Sequence, residues 1–154
     1  MAIDHQAIVE RFADAVSRLD FAAIAAAFTE DCVTEYPQSG ELIRGQDNYR
    51  AILENYPAPL HPEAIDRSSL RVAATDQRWV VTPMFTVMKV EGSGTVGTAT
   101  FRTRYPDGST WWVVTMYELR GERIARTTTF FAPLFDAPEW RAPYVERIPT
   151  ADAR

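Results

Sequence analysis

The sequence is short of the groups on which metal, redox and nucleotide chemistry depend. Cys32 is its only cysteine, so no disulfide forms within the chain, and a lone cysteine is more often a buried thiol than a reactive one. His5 and His61 are the only histidines. Neither has a second His or a Cys at zinc-ligand spacing, so any metal site would have to be built from oxygens alone. Lys89 is the only lysine among 16 basic residues. There is no Walker-type loop and no G-x-G-x-x-G, G-x-S-x-G or H-E-x-x-H pattern. The stretch Gly92-Ser93-Gly94 followed by Gly97 fits a hairpin connection better than a phosphate loop, because strand-like sequence flanks it. No cofactor or metal is therefore expected. No apolar run approaches the roughly 18 residues of a membrane span. The N-terminal MAIDHQAIVERF has no basic stretch followed by an apolar one, which predicts a cytoplasmic protein.

What remains is an ordinary globular composition. With 154 residues, 46% hydrophobic and 24% charged, the chain is sized for one domain with a good core. The expected unit is a single domain over 1–154, with 132–154 as a C-terminal tail. Sixteen basic against 21 acidic residues give a net charge of −5, which argues against nucleic-acid or anionic-membrane partners.

The hydrophobic period changes along the chain. Asp4 is placed to cap a helix whose Ile8, Phe12, Ala15, Val16 and Leu19 recur at three- and four-residue spacing, and Asp20 to cap a second with Phe21, Ile24 and Phe28 on one face. Thr29-Glu30-Asp31 breaks that pattern, Cys32–Tyr36 reads as a strand ended by Pro37, and Glu41–Arg44 as its short return. Gly45 leads into a third helix carrying Tyr49, Ile52, Leu53 and Tyr56, stopped by Pro57 and Pro59. From about residue 65 the period is two, with strands predicted over 65–73, 79–90, 95–105, 109–119 and 123–131 and turn chemistry between them. Helices first and strands afterwards predict an α+β fold with three helices on one face of a curved, mixed or antiparallel sheet. Adjacent large apolar residues, as in Trp111-Trp112-Val113-Val114 and Phe130-Phe131, require cover on both sheet faces. A second copy packed on the outer face is the economical cover, and a homodimer is expected.

This order of elements, with Phe-Thr-Glu-Asp-Cys-Val-Thr-Glu-Tyr-Pro (28–37), Ser-Gly-Glu-Leu-Ile-Arg-Gly (39–45), Gly121-Glu-Arg-Ile and Thr-Phe-Phe (129–131), resembles the NTF2-like superfamily and, within it, the SnoaL-like branch. That branch contains polyketide cyclases, ketosteroid isomerases and limonene-epoxide hydrolases. The resemblance implies a cone-shaped fold with an apolar pocket at one end and a frequent dimer through the outer face of the sheet. It does not imply one reaction, because the scaffold hosts several chemistries.

The family's catalytic positions, carried over by resemblance, mostly hold groups that do not ionise. Where steroid isomerases of this fold place a basic aspartate, this chain has Tyr36; their oxyanion tyrosine falls on Phe12 and their second oxyanion acid near Thr115. The epoxide hydrolases' Arg and Asp fall on Met84 and Thr86 and their last Asp on Thr129, while the cyclases' aspartate falls in Thr127–Thr129. A one-residue change of register would instead turn Glu35, Glu118 and Arg126 inward. The expected lining of the cone is Phe12, Tyr36, Met84, Thr86, Thr115, Thr129 and Phe131, a mostly apolar wall with a few hydroxyls suited to a small hydrophobic or aromatic molecule. Tyr36 is the candidate for ligand contact or proton donation, with plain core packing as the third reading. Metal-free proton transfer or water addition would be the reaction class, and a non-catalytic dimerisation or interaction module of the same fold is the alternative. His61 is read as a lid residue or a solvated loop residue. The aromatics of the tail, Phe135, Trp140 and Tyr144, are read as core or interface, with a ligand contact from Trp140 as the lesser alternative.

Overall fold

A computed structural model describes residues 3–60, 65–73, 79–81, 87–89 and 94–147. Two short carboxylates set the first helices. The Asp4 side chain accepts from the Ala7 N–H at 3.0 Å and opens α1 (His5–Ser17); the Asp20 side chain accepts from the Ala23 N–H at 3.0 Å and opens α2 (Phe21–Ala26). Each satisfies an N–H that the first turn leaves orphaned. Gly45, at φ +83°, turns the chain into α3 (Gln46–Glu54), and its N–H donates to the Cys32 carbonyl at 2.8 Å.

The strands are β1 (Phe28–Tyr36), β2 (Glu41–Arg44), β3 (Ile65–Ala73), β4 (Trp79–Val81), β5 (Val87–Lys89), β6 (Val96–Arg104), β7 (Thr110–Arg120) and β8 (Arg123–Pro133). Six of them form one curved, open sheet in the order β2-β1-β8-β7-β6-β3, in which only β1 and β8 run parallel. The fold is α+β, as the change of period predicts.

Two predicted elements take a different form. Phe28 belongs to β1 rather than to the second helix: it sits opposite Ile124 of β8, and the Ile124 N–H donates to the Ala27 carbonyl at 2.9 Å. Burial of Phe28 to 2% exposure in this pairing outweighs the helical spacing that continues from Ile24. Within the strand predicted over 79–90, the described residues form two short strands, β4 and β5, paired antiparallel apart from the six-stranded sheet, with Trp79 opposite Lys89 and Val81 opposite Val87. Consequently β3 pairs directly with β6, and the five predicted strands do not form one continuous meander.

The register settles which residues face the helices. On β7, Val113, Tyr117 and Leu119 are buried; on β8, Ile124, Thr127 and Thr129; on β1, Phe28, Cys32 and Thr34. A one-residue irregularity between Glu118 and Leu119 against β8 brings Ile124 and Thr127 to the same face, where simple alternation would separate them. Ile8, Val9 and Ala13 of α1 pack onto this inner face. Glu35 and Arg126 form an ion pair on the outer face, so the register with these charges inward is not the one adopted. Each adjacent pair of large residues divides between the faces: Trp111 and Phe131 fall on the inner side, Trp112 and Phe130 on the outer.

Candidate functional site

The parallel pairing of β1 with β8 and the antiparallel pairing of β8 with β7 bring four threonines together on the inner face. Thr34 lies opposite Thr127, and Thr115 opposite Thr129. The Thr127 hydroxyl donates to that of Thr34 at 2.9 Å, and the hydroxyls of Thr115 and Thr129 are 3.0 Å apart. A hydroxyl pair uses one of its two protons internally, so each pair retains donor and acceptor capacity for a third group. Thr115 remains partly exposed although it lies on a central strand.

Towards the end of this face formed by the C-terminus of β1, the threonines give way to rings. Tyr36 meets Phe131 edge-on at 5.2 Å, and Tyr105 meets Trp111 edge-on at 5.6 Å. The Trp111 indole N–H donates to the Ser109 hydroxyl at 2.9 Å, which fixes its ring. Tyr49 reaches in from α3 and stacks against Phe28 at 4.5 Å. Burial pushes the Tyr36 phenol up to about 12, with Glu41 adding repulsion, and Tyr105 likewise up to about 12, with Tyr56 and Tyr36 adding. Tyr49 is raised further, by burial first and then by the neighbouring Tyr36, Cys32 and Tyr105 groups. Among the described residues no hydrogen bond engages the hydroxyls of Tyr36, Tyr49 or Tyr105. They are neutral donors throughout the physiological range, with Glu41 as the carboxylate beside Tyr36.

The pH consequence follows from the direction of these shifts. A phenol whose folded value lies above its unfolded value near 10 contributes stability fully below pH 10, and that contribution is lost as pH rises towards 12. Thermal melts should therefore show a falling Tm between about pH 10 and 12. Absorbance at 295 nm should show Tyr36 and Tyr105 ionising late, in step with unfolding.

The residues expected from sequence are distributed as follows. Tyr36, Thr115, Thr129 and Phe131 share the inner face. Phe12, on α1, contacts Phe28 of β1 edge-on at 5.9 Å. Met84, Thr86 and His61 lie outside the described residues. Tyr49, Tyr105 and Trp111 enter these ring contacts without having been singled out as site residues. The apolar spacing of Tyr49, Ile52 and Leu53 on α3 was the available signal for the helical side of the site. Nothing local marked Tyr105, which follows the last residue of β6. Among the described residues no three His, Cys, Asp or Glu side chains gather as a metal-ligand group.

His5 and Tyr117 form a second polar contact deeper on the same face. The Gly94 carbonyl, 2.7 Å from His5 Nε2, can only accept, so Nε2 carries the proton and Nδ1 accepts from the Tyr117 hydroxyl at 2.9 Å. Both ring nitrogens are engaged, so this histidine is a tie between α1 and the sheet. Two grooves lie on the outside, of about 660 Å³ between β2 and α3 and about 440 Å³ between α1, α2 and the β7–β8 turn. Several of their polar side chains are already paired. The Asn48 and Asn55 amides donate to the Arg44 and Ala51 carbonyls, and Arg11 and Arg18 pair with Glu122 and Asp14.

An open curved sheet with one parallel strand pair, helices on its inner face and a ring-lined end is the architecture of NTF2-like proteins. Residues 9–127 match the SnoaL-like domain, and the chain belongs to that family. A crystal structure of an NTF-2 like protein of unknown function from Burkholderia xenovorans LB400 is similar with a TM-score of 0.65 at 24% identity over 94% of each chain. A putative ketosteroid isomerase from Kribbella flavida DSM 17836 gives 0.63 at 20% identity, over 94% of this chain and 90% of that one. An NTF2-like protein of unknown function from Cytophaga hutchinsonii ATCC 33406 gives 0.54 at 15%, over 86% and 94%. At these identities the likeness shows the fold. No curated protein matches the chain. Among the described residues no helix is long and apolar enough to cross a membrane.

Proposed function

We propose that this chain is a single cytoplasmic domain, with its tail, that binds a small uncharged hydrophobic or aromatic molecule on the inner face, between the threonine pairs and the tyrosine rings. The observation that carries this reading is the set of phenol donors on Tyr36, Tyr49 and Tyr105, which no hydrogen bond engages among the described residues, beside a wall of rings and hydroxyls. Apolar walls with a few convergent donors suit a ligand that brings a neutral acceptor such as a carbonyl oxygen. Met84 and Thr86 belong to the same lining in this reading, and Phe12 supports it from behind through Phe28. The phenols hold their protons too firmly to serve as bases at neutral pH. The same firm hold suits Tyr36 to donating a hydrogen bond, and any reaction is metal-free proton transfer or water addition. The protein works as two copies joined through the outer sheet face.

The test is native mass spectrometry of the purified protein, followed by uptake of a panel of steroids and polyketide-like aromatics. A co-purified or added hydrophobic adduct is expected. Tyr36→Phe should weaken its binding about 2- to 12-fold, the worth of one net hydrogen bond, without lowering Tm. Failure to take up any panel member, together with an unchanged Tyr36→Phe variant, would favour the non-catalytic interaction module.

A further inference from the structure

The large rings in the second half of the chain are held in different ways. Phe135, Trp140 and Tyr144, after β8, stand at 82%, 70% and 83% exposure, which corrects the reading of them as core. Trp111, at the start of β7, is half-buried on the inner face, and its one polar atom is engaged by Ser109. Across the pairing with β8 it lies opposite Pro133, two residues from Phe131 on the same face, a diagonal within reach of an aromatic ring.

A serine hydroxyl rotates to suit its neighbours, so by itself Ser109 would hold the indole loosely. Asp107 removes that freedom. Its Oδ1 accepts from the Ser109 hydroxyl at 2.6 Å and from the Ser109 N–H at 2.8 Å, and these bonds, the hydroxyl's first, hold the Asp107 carboxyl below its ordinary value. An ionised carboxylate only accepts, so the Ser109 proton is committed to it and the hydroxyl's lone pairs are left for the indole N–H. The turn that carries this chain of bonds is itself closed. The Tyr105 N–H donates to the Ser109 carbonyl and the Gly108 N–H to the Tyr105 carbonyl, each at 2.9 Å, with Gly108 at φ +85°, as a three-residue hairpin loop requires. One turn thereby sets both the Tyr105 phenol and the Trp111 ring, which meet edge-on at 5.6 Å.

We propose that Ser109 is a positioning residue for ligand binding: through the indole N–H it holds the Trp111 ring as a fixed wall of the inner-face site, beside the Tyr105 donor. The proposal rests on the ligand reading above. Ser109 touches no ligand in this account, and its effect passes through Trp111. A ring wall ordered before the ligand arrives does not have to be ordered at binding, and an aromatic ligand that meets it edge-on or offset depends on that orientation. Ser109→Ala separates this role from the turn, because it removes the acceptor for the indole while the residue's N–H can still donate to Asp107. Ser109→Thr keeps the hydroxyl.

Two readouts on the full chain test this, with circular dichroism melts confirming that each variant folds. The first is the indole N–H resonance of Trp111 in a proton–nitrogen correlation spectrum, assigned by its disappearance in Trp111→Phe. The second is the dissociation constant of prodan, a neutral aromatic ketone whose emission reports binding, with Tyr36→Phe as the check that it sits on the inner face. In Ser109→Ala the resonance should move and exchange faster with solvent, and the prodan dissociation constant should rise about 2- to 12-fold, the cost of ordering one side chain at binding. Ser109→Thr should restore both. An unmoved resonance would overturn the hold on Trp111. A moved resonance with prodan binding within about 2-fold of wild type, or a loss that Ser109→Thr does not restore, would overturn the positioning role and leave the ligand reading standing. No prodan binding in the wild type, or binding that Tyr36→Phe leaves unchanged, would overturn the ligand reading and this proposal with it.

Discussion

Gly97→Ala is expected to destabilise the fold by about 1–3 kcal/mol, the range for forcing extra volume into a packed core. Gly97 sits opposite Tyr117 in the β6–β7 pairing, and the Tyr117 ring lies directly over it. A Cβ at this position would overlap the Tyr117 hydroxyl and Cζ and stand 3.0 Å from Cε2. The ring cannot swing away cheaply, because it is buried to 4% exposure and its hydroxyl is held by His5. The expected Tm loss is roughly 2–12 °C for a chain of this size. A double-mutant cycle provides the check. In a Tyr117→Leu background, where the long ring is gone, the cost of Gly97→Ala should fall by at least about 1 kcal/mol. Equal costs in both backgrounds would show that the ring is not what Gly97 accommodates.

Phe28→Ala should cost more, about 3–5 kcal/mol, which is a large share of the roughly 5–15 kcal/mol that holds a domain together. Phe28 is at 2% exposure and links two rings, Phe12 at 5.9 Å and Tyr49 at 4.5 Å. Truncation removes a buried aromatic where β1 begins, opens a cavity between α1 and α3, and removes the platform against which Tyr49 stacks. Chemical denaturation should show the loss of stability with little change in m. Phe28→Leu, which keeps most of the volume, should lose much less. Because Tyr49 belongs to the candidate site, Phe28→Ala should also weaken ligand uptake at temperatures where the variant is still folded. Uptake at wild-type affinity would place the ligand away from Tyr49.

Both predictions rest on contacts that sequence patterns reveal only in part. The helix caps at Asp4 and Asp20 were legible because capping is a local matter of one carboxylate and the N–H three residues on. The α+β class was legible because the change from helical to two-residue period is a property of the chain itself. The inward set Tyr36, Thr115, Thr129 and Phe131 was reachable through alternation along strands together with the family resemblance. What alternation could not supply is the irregularity near Ala125, which puts Ile124 and Thr127 on one face, or the pairing of β4 with β5 apart from the main sheet. Phe28 was misplaced for a similar reason. Its spacing from Ile24 is helical, and only pairing with a strand almost a hundred residues away draws it into β1.

The sequence by itself determined the class of chain, the helix starts, the lack of metal- and nucleotide-binding patterns, and the hydroxyl-rich, charge-poor character of the family's catalytic positions. Each of these is a matter of composition or short-range spacing. Only the tertiary structure decided that Tyr49 packs on Phe28, that Phe12 meets the same ring, that Tyr117 needs a glycine beneath it and that the rings after β8 stay exposed. Those outcomes depend on which distant segments pair and in what register, and the energy of that pairing comes from burial across the whole sheet, which no short stretch of the chain encodes.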